Sequence, residues 1–145
     1  MMRISPFFLL LLCYWLTACK QSGKNNLLPQ LMESDSAIVM YYHTPGEPRF
    51  FNMKKIYEKE FISLIASAVN KNTIKAKNTC TTQGKIYFYG KAGAVETIYF
   101  SRLQDCMTLS FIKTGEKYYT NMNAGVKNTL DEFEKMVTVL PGRKE

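Results

Sequence analysis

A chain of 145 residues, 46% of them hydrophobic, suits one packed domain. Its 19 Lys and Arg against 12 Asp and Glu give a net charge of +7. The lysines are dispersed, which reads as a solvated surface rather than a built basic patch. The single histidine, His43, narrows catalysis, because any Ser-His-Asp or Cys-His arrangement would have to use it.

The first residues divide into three parts. Met1-Met2-Arg3 is a short positive start, and Phe7 to Leu16 is an apolar run. Leu16-Thr17-Ala18-Cys19 follows, with small residues before the cysteine. This is the pattern of an export signal. The apolar run is shorter than the roughly 20 residues a spanning helix needs, and Lys20 and Lys24 stop it from extending.

Leu16-Thr17-Ala18-Cys19 resembles the lipobox of bacterial lipoproteins. The resemblance covers the signal and the cut site. It implies removal of residues 1–18, a diacylglyceryl group on the Cys19 thiol and acylation of the new amino terminus. Cys19 is then the lipidation site, and membrane contact runs through its lipid, since several acyl chains anchor stably where one does not. Lys20 stands where an aspartate would imply inner-membrane retention. By that analogy the expected location is the cell envelope, at the outer membrane facing the periplasm. No acidic pair follows Cys19 to imply surface display. Without Arg3 the net charge falls to +6, from 18 basic against 12 acidic residues. Export also removes most of the reason to expect nucleic acid as a partner.

Cys13 leaves with the signal and Cys19 takes the lipid, so Cys80 and Cys106 remain. In an oxidising compartment an even pair defaults to a disulfide. A redox pair or a metal site is the alternative, but neither cysteine lies in a Cys-x-x-Cys, and only His43 offers an imidazole.

Residues 19–36 read as a lipidated tether containing Gln, Ser, Gly, Asn and Pro. Leu27, Leu28, Leu31 and Met32 could pack locally. Ala37 to Tyr42 is β-branched and aromatic, a strand. His43 to Pro48 reads as a turn, and Arg49 to Met53 as a short returning strand. From Tyr57 to Val69, the apolar residues Phe61, Ile62, Leu64, Ile65, Ala68 and Val69 recur at helical spacing. Lys71 to Asn78 is polar, a loop with room for a short strand near Ile74. Four further strands are expected over Lys85–Tyr89, Val95–Phe100, Cys106–Ile112 and Lys117–Met122, with turn residues between them. A last helix starts at Asn123 or at Thr129, where Thr129-x-x-Glu132 fits a capping box. It carries Val126, Leu130, Phe133, Val137 and Leu140 on one stripe, and Pro141-Gly142 is expected to end it. The predicted fold class is α+β: an antiparallel β-meander sheet with two helices packed on one face, in a single domain over 37–145.

The later half is also similar to small uncharacterised bacterial lipoproteins. Cys80, Gly84 to Tyr89, Cys106 and Tyr118-Tyr119 carry the likeness, which implies no particular activity.

The carboxylates Glu58, Glu60, Glu96, Asp105, Asp131, Glu132 and Glu134 fall mostly at helix starts and turns, where acids cap and solvate. No two are marked as a catalytic pair, and no ligand cluster has metal-site spacing. Neither a cofactor nor a metal is expected. If Ile86, Phe88, Ile98, Phe100, Met107, Leu109 and Phe111 face the helices, then Tyr87, Tyr89, Tyr99 and Tyr119 share the other face. Such a face could bind an envelope protein or a glycan. The expected function is a non-catalytic binding or interaction module. An inhibitor or immunity-type lipoprotein is the alternative, and a carboxylate-dependent hydrolase a third reading.

Overall fold

The computed structural model describes residues 27–71, 73 and 79–137. The signal, Cys19, Ile74, Leu140 and Pro141-Gly142 lie outside them. The described chain begins with a 3-10 turn, Pro29–Glu33, and continues as β1 (Ser36–Thr44), β2 (Glu47–Ile56), α1 (Lys59–Lys71), β3 (Gly84–Tyr89), β4 (Val95–Leu103), β5 (Cys106–Lys113), β6 (Glu116–Asn121) and α2 (Ala124–Met136). The fold is the expected α+β class, with six antiparallel strands in the order β2-β1-β3-β4-β5-β6.

Alternation along the strands gives each a buried side. Ala37, Val39 and Tyr41 of β1 register with Phe88, Ile86 and Gly84 of β3, and these with Ile98 and Phe100 of β4. Leu109 pairs with Phe100, and Phe111 lies two residues further along β5. These apolar residues are buried together with Phe61, Ile62, Ile65, Ala66, Ala68 and Val69 of α1 and Val126 and Leu130 of α2. Two polar contacts pin the helices to this side. The Tyr41 hydroxyl donates to the Leu130 carbonyl at 2.7 Å, and the Thr120 hydroxyl donates to the Ala68 carbonyl at 3.2 Å. The helices touch each other through Phe61 and Phe133, whose rings meet edge-on with centroids 5.0 Å apart.

Turn chemistry explains the hairpins. Pro45-Gly46 closes β1–β2, with Gly46 at φ 87°. Thr114-Gly115 closes β5–β6 with φ of 51° and 79°, and two positive values are what a type I′ hairpin turn requires.

Several boundaries differ from the sequence reading. Leu28 and Leu31 are buried in the core. The Asn70 amide brackets Leu28, accepting from its N–H and donating to its carbonyl, both at 3.2 Å. The packed domain therefore takes in residues placed in the tether, which apolar burial draws in. The turn shrinks to Pro45-Gly46, and β2 runs ten residues, because a bulge between Tyr42 and Thr44 lets the ladder continue past Pro48. Of the two starts expected for α2 the earlier one is used: it begins at Ala124, with the Asn123 side chain accepting from the Val126 N–H at 2.9 Å. Thr129 then lies inside the helix, bonded back to the Gly125 carbonyl. α2 also stops at Met136, ahead of Pro141.

Candidate functional site: the helix-free face of the sheet

The sheet face turned away from the helices is built by the same alternation. Across it, Met53, Met40, Lys85, Tyr99, Ser110 and Tyr119 stand in one row of registered residues. The next row holds Lys55, Ile38, Tyr87 and Thr97, and a further one Ser36, Tyr89 and Val95. Tyr87, Tyr89 and Tyr99 are half-buried on this face, so the period of two puts them together as expected. Tyr119 shares the face but is only 7% exposed, and its phenol offers little surface to a partner. Five of the nine exposed large hydrophobic residues among the described residues, Phe51, Met53, Val95, Leu103 and Ile112, fall at registered positions of this face, and a sixth, Tyr57, lines the notch at its corner. That concentration makes the face more apolar than a fully solvated sheet face.

Lys85 sits at the centre. Its ammonium lies 4.8 Å from the centroid of the Tyr87 ring. A hydrogen bond to the Tyr87 side chain holds the Lys85 pKa above the ordinary lysine value. Partial burial opposes this, while the phenols of Tyr42, Tyr87 and Tyr99 assist. Burial pushes the Tyr42 phenol up, and Lys85 works against that rise. Lys117 repeats the motif at the far edge, 5.1 Å from the Tyr119 ring centroid. At the opposite corner, Ser36, Ala37, Ile38, Lys55, Tyr57 and Tyr89 line a notch of about 220 Å³.

Lys85 and Lys117 were legible in principle, because each lies two residues before a face tyrosine on its own strand. Tyr42, Lys55 and Tyr57 join the site only because β1 pairs with β3, a contact between residues far apart in the chain.

The other candidates are placed elsewhere. His43 is exposed at the bulge of the β1–β2 hairpin, with Nε2 3.0 Å from Asn52 Oδ1. Asp131 and Glu134 pair with Arg102 at 2.8 and 2.9 Å, on the helix side. Glu96 accepts from the Gln30 amide. Glu58 accepts from the Tyr57 N–H at 2.9 Å, and backbone hydrogen bonds hold its pKa below the usual carboxylate value. Cys80 and Cys106 form a disulfide with a Cα–Cα distance of 5.5 Å, tying the segment before β3 to the start of β5. Among the described residues no three His, Cys, Asp or Glu side chains gather as for a metal ion. None of the described helices is long and apolar enough to cross a membrane.

Among the described residues, the chain is an α+β domain with both helices on one side of its sheet and a tyrosine–lysine surface on the other. No family model matches the chain, and no curated protein or solved structure is significantly similar to it.

Proposed function

We propose that this chain is a lipid-anchored, non-catalytic binding module of the cell envelope, tethered through Cys19 at the outer membrane and facing the periplasm. Its binding surface is the helix-free sheet face. The observation that carries the reading is the grouping of half-buried Tyr42, Tyr87 and Tyr99 around Lys85, with Tyr89 further along the same strand, on a face that neither described helix covers. Tyrosine offers broad apolar area and a hydroxyl at little conformational cost, which suits recognition. The Cys80–Cys106 bridge supports export, since disulfides persist in oxidising compartments.

Two measurements test the two halves. Mass spectrometry of the membrane fraction should find an acylated amino-terminal Cys19, and Cys19→Ala should move the protein off the membrane. An unmodified thiol or an uncleaved signal ends the anchoring half. For the face, photo-crosslinking in the native envelope should give adducts that vanish in the double variant Tyr87→Ser, Tyr99→Ser. The variant should remain folded, because truncating a binding anchor typically costs over about 1 kcal/mol of affinity. Unchanged adducts would place binding elsewhere.

A further inference from the structure

We infer that the helix-free face recognises an acidic oligosaccharide, with one anionic sugar ring in the notch beside Lys55 and the rest running across Tyr87, Lys85 and Tyr99. This rests on the binding-face reading above and adds the ligand's chemical class.

Charge is the first argument. In the paired region of the sheet, the face positions carry Lys55, Lys85 and Lys117 against one carboxylate, Glu47, which stands opposite Thr44 at the hairpin end of β2, eight residues from Lys55. Two carboxylates adjoin the notch in sequence and both are engaged: Glu58 accepts from the Tyr57 N–H, and Asp35, next to Ser36, pairs with Lys59 at 3.3 Å. A second copy of this chain is disfavoured as the occupant, because face-to-face stacking would set lysines against lysines. Shape is the second argument. The notch of about 220 Å³ lies below the roughly 300–1,000 Å³ of pockets for drug-sized ligands, so it suits a single ring. Tyr57, 67% exposed, and half-buried Tyr89 flank it, and aromatic faces are stacking surfaces for the C–H side of a sugar. Lys55 lies at its wall to meet a carboxylate or sulfate. Reach is the third. β2 and β3 are separated by two strand spacings, about 10 Å. An oligomer could therefore meet Lys55 and Lys85 together, where one ring could not.

The test is calorimetric titration of the full chain in detergent with three acidic probes: hexagalacturonate, a hyaluronan hexasaccharide and a heparin hexasaccharide. Maltohexaose is the neutral control. At least one acidic probe should bind and maltohexaose should not, with affinity falling as salt rises. Lys55→Gln and Lys85→Gln should each weaken binding about tenfold, and Tyr57→Ala by a similar factor. Lys135→Gln on α2 should change nothing. Binding of maltohexaose as tight as the acidic probes, or of none of the four, overturns the inference. So does binding only to vesicles of phosphatidylglycerol. If the acidic probes fail while the envelope adducts still depend on Tyr87 and Tyr99, the ligand class is wrong and the binding face stands. If both fail, the face reading falls with it.

Discussion

A Cβ at Gly84 would lie 2.2 Å from the Met40 carbonyl oxygen and 2.3 Å from the Phe100 ring. The missing side chain is what lets Phe100, its registered partner, lie across β3 and meet Tyr41 edge-on at 5.6 Å. Gly84→Ala must displace that ring or the backbone, so a loss of at least about 2 kcal/mol is expected in urea unfolding. Tyr41 carries a second residue-scale consequence. Burial raises its phenol pKa far above the ordinary value near 10, with Arg102 opposing. The unfolded chain releases this proton near pH 10, while the folded chain keeps it. Stability from this group is therefore full below about pH 10 and falls as pH rises above it. Unfolding midpoints measured from neutral to alkaline pH should show that fall, and Tyr41→Phe should flatten it. At neutral pH the same variant should lose about 1 kcal/mol, because the Leu130 carbonyl loses its donor. Neither role is legible in the sequence, where Gly84 looks like a strand boundary and Tyr41 like any strand aromatic. Both roles come from residues far along the chain.

At the scale of elements, Arg102 adds an ion-pair clamp to the Tyr41 hydrogen bond and the buried Val126 and Leu130 that hold α2 to the sheet. Arg102 rises from β4, its side chain 9% exposed, and bonds Asp131 and Glu134 while its guanidinium lies 5.2 Å from the Tyr41 ring centroid and 5.5 Å from that of Phe100. Burial works to lower its pKa, but Glu134, Asp131 and Tyr41 outweigh it, and the arginine stays charged. Arg102→Ala would leave two acids on α2 without this cation. Their partial exposure limits the cost, which we expect to be roughly 2 kcal/mol. Hydrogen exchange should quicken in α2 more than in the sheet, and Arg102→Lys should restore little, since it lacks the planar fork. The elements themselves were largely readable. β-branched and aromatic runs between turn residues located the strands, and period 3.6 located both helices. Boundaries set by less local physics were not. β2 outran its reading across a bulge, and α2 stopped at Met136, ahead of Pro141-Gly142. The placement of β3 beside β1 was also hidden, since alternation says which face a residue takes and not which strand lies next to it.

For the molecule as a whole, the Cys80–Cys106 bridge closes a loop with a sequence separation of 26. Chain entropy assigns such a loop about 3.5 kcal/mol. The Cys80→Ser, Cys106→Ser double variant should lower the guanidinium midpoint by a matching amount, and reductant should do the same to the native chain.

The strand order has a consequence for how the chain reaches this state. Four of the five ladders join strands consecutive in sequence, while the β1–β3 ladder joins residues 43 to 53 positions apart, from Tyr41↔Gly84 to Ser36↔Tyr89. The β1–β2 hairpin and the β3–β6 meander can each form from neighbouring segments, but the seam between them must wait for a long loop to close. That seam sets the contact order and should be the slow step of folding. Until it closes, β1 and β3 each present an unpaired edge with alternating apolar residues. In concentrated refolding solutions those edges can meet between molecules instead, and the product is a dimer in which two chains exchange their amino-terminal hairpins.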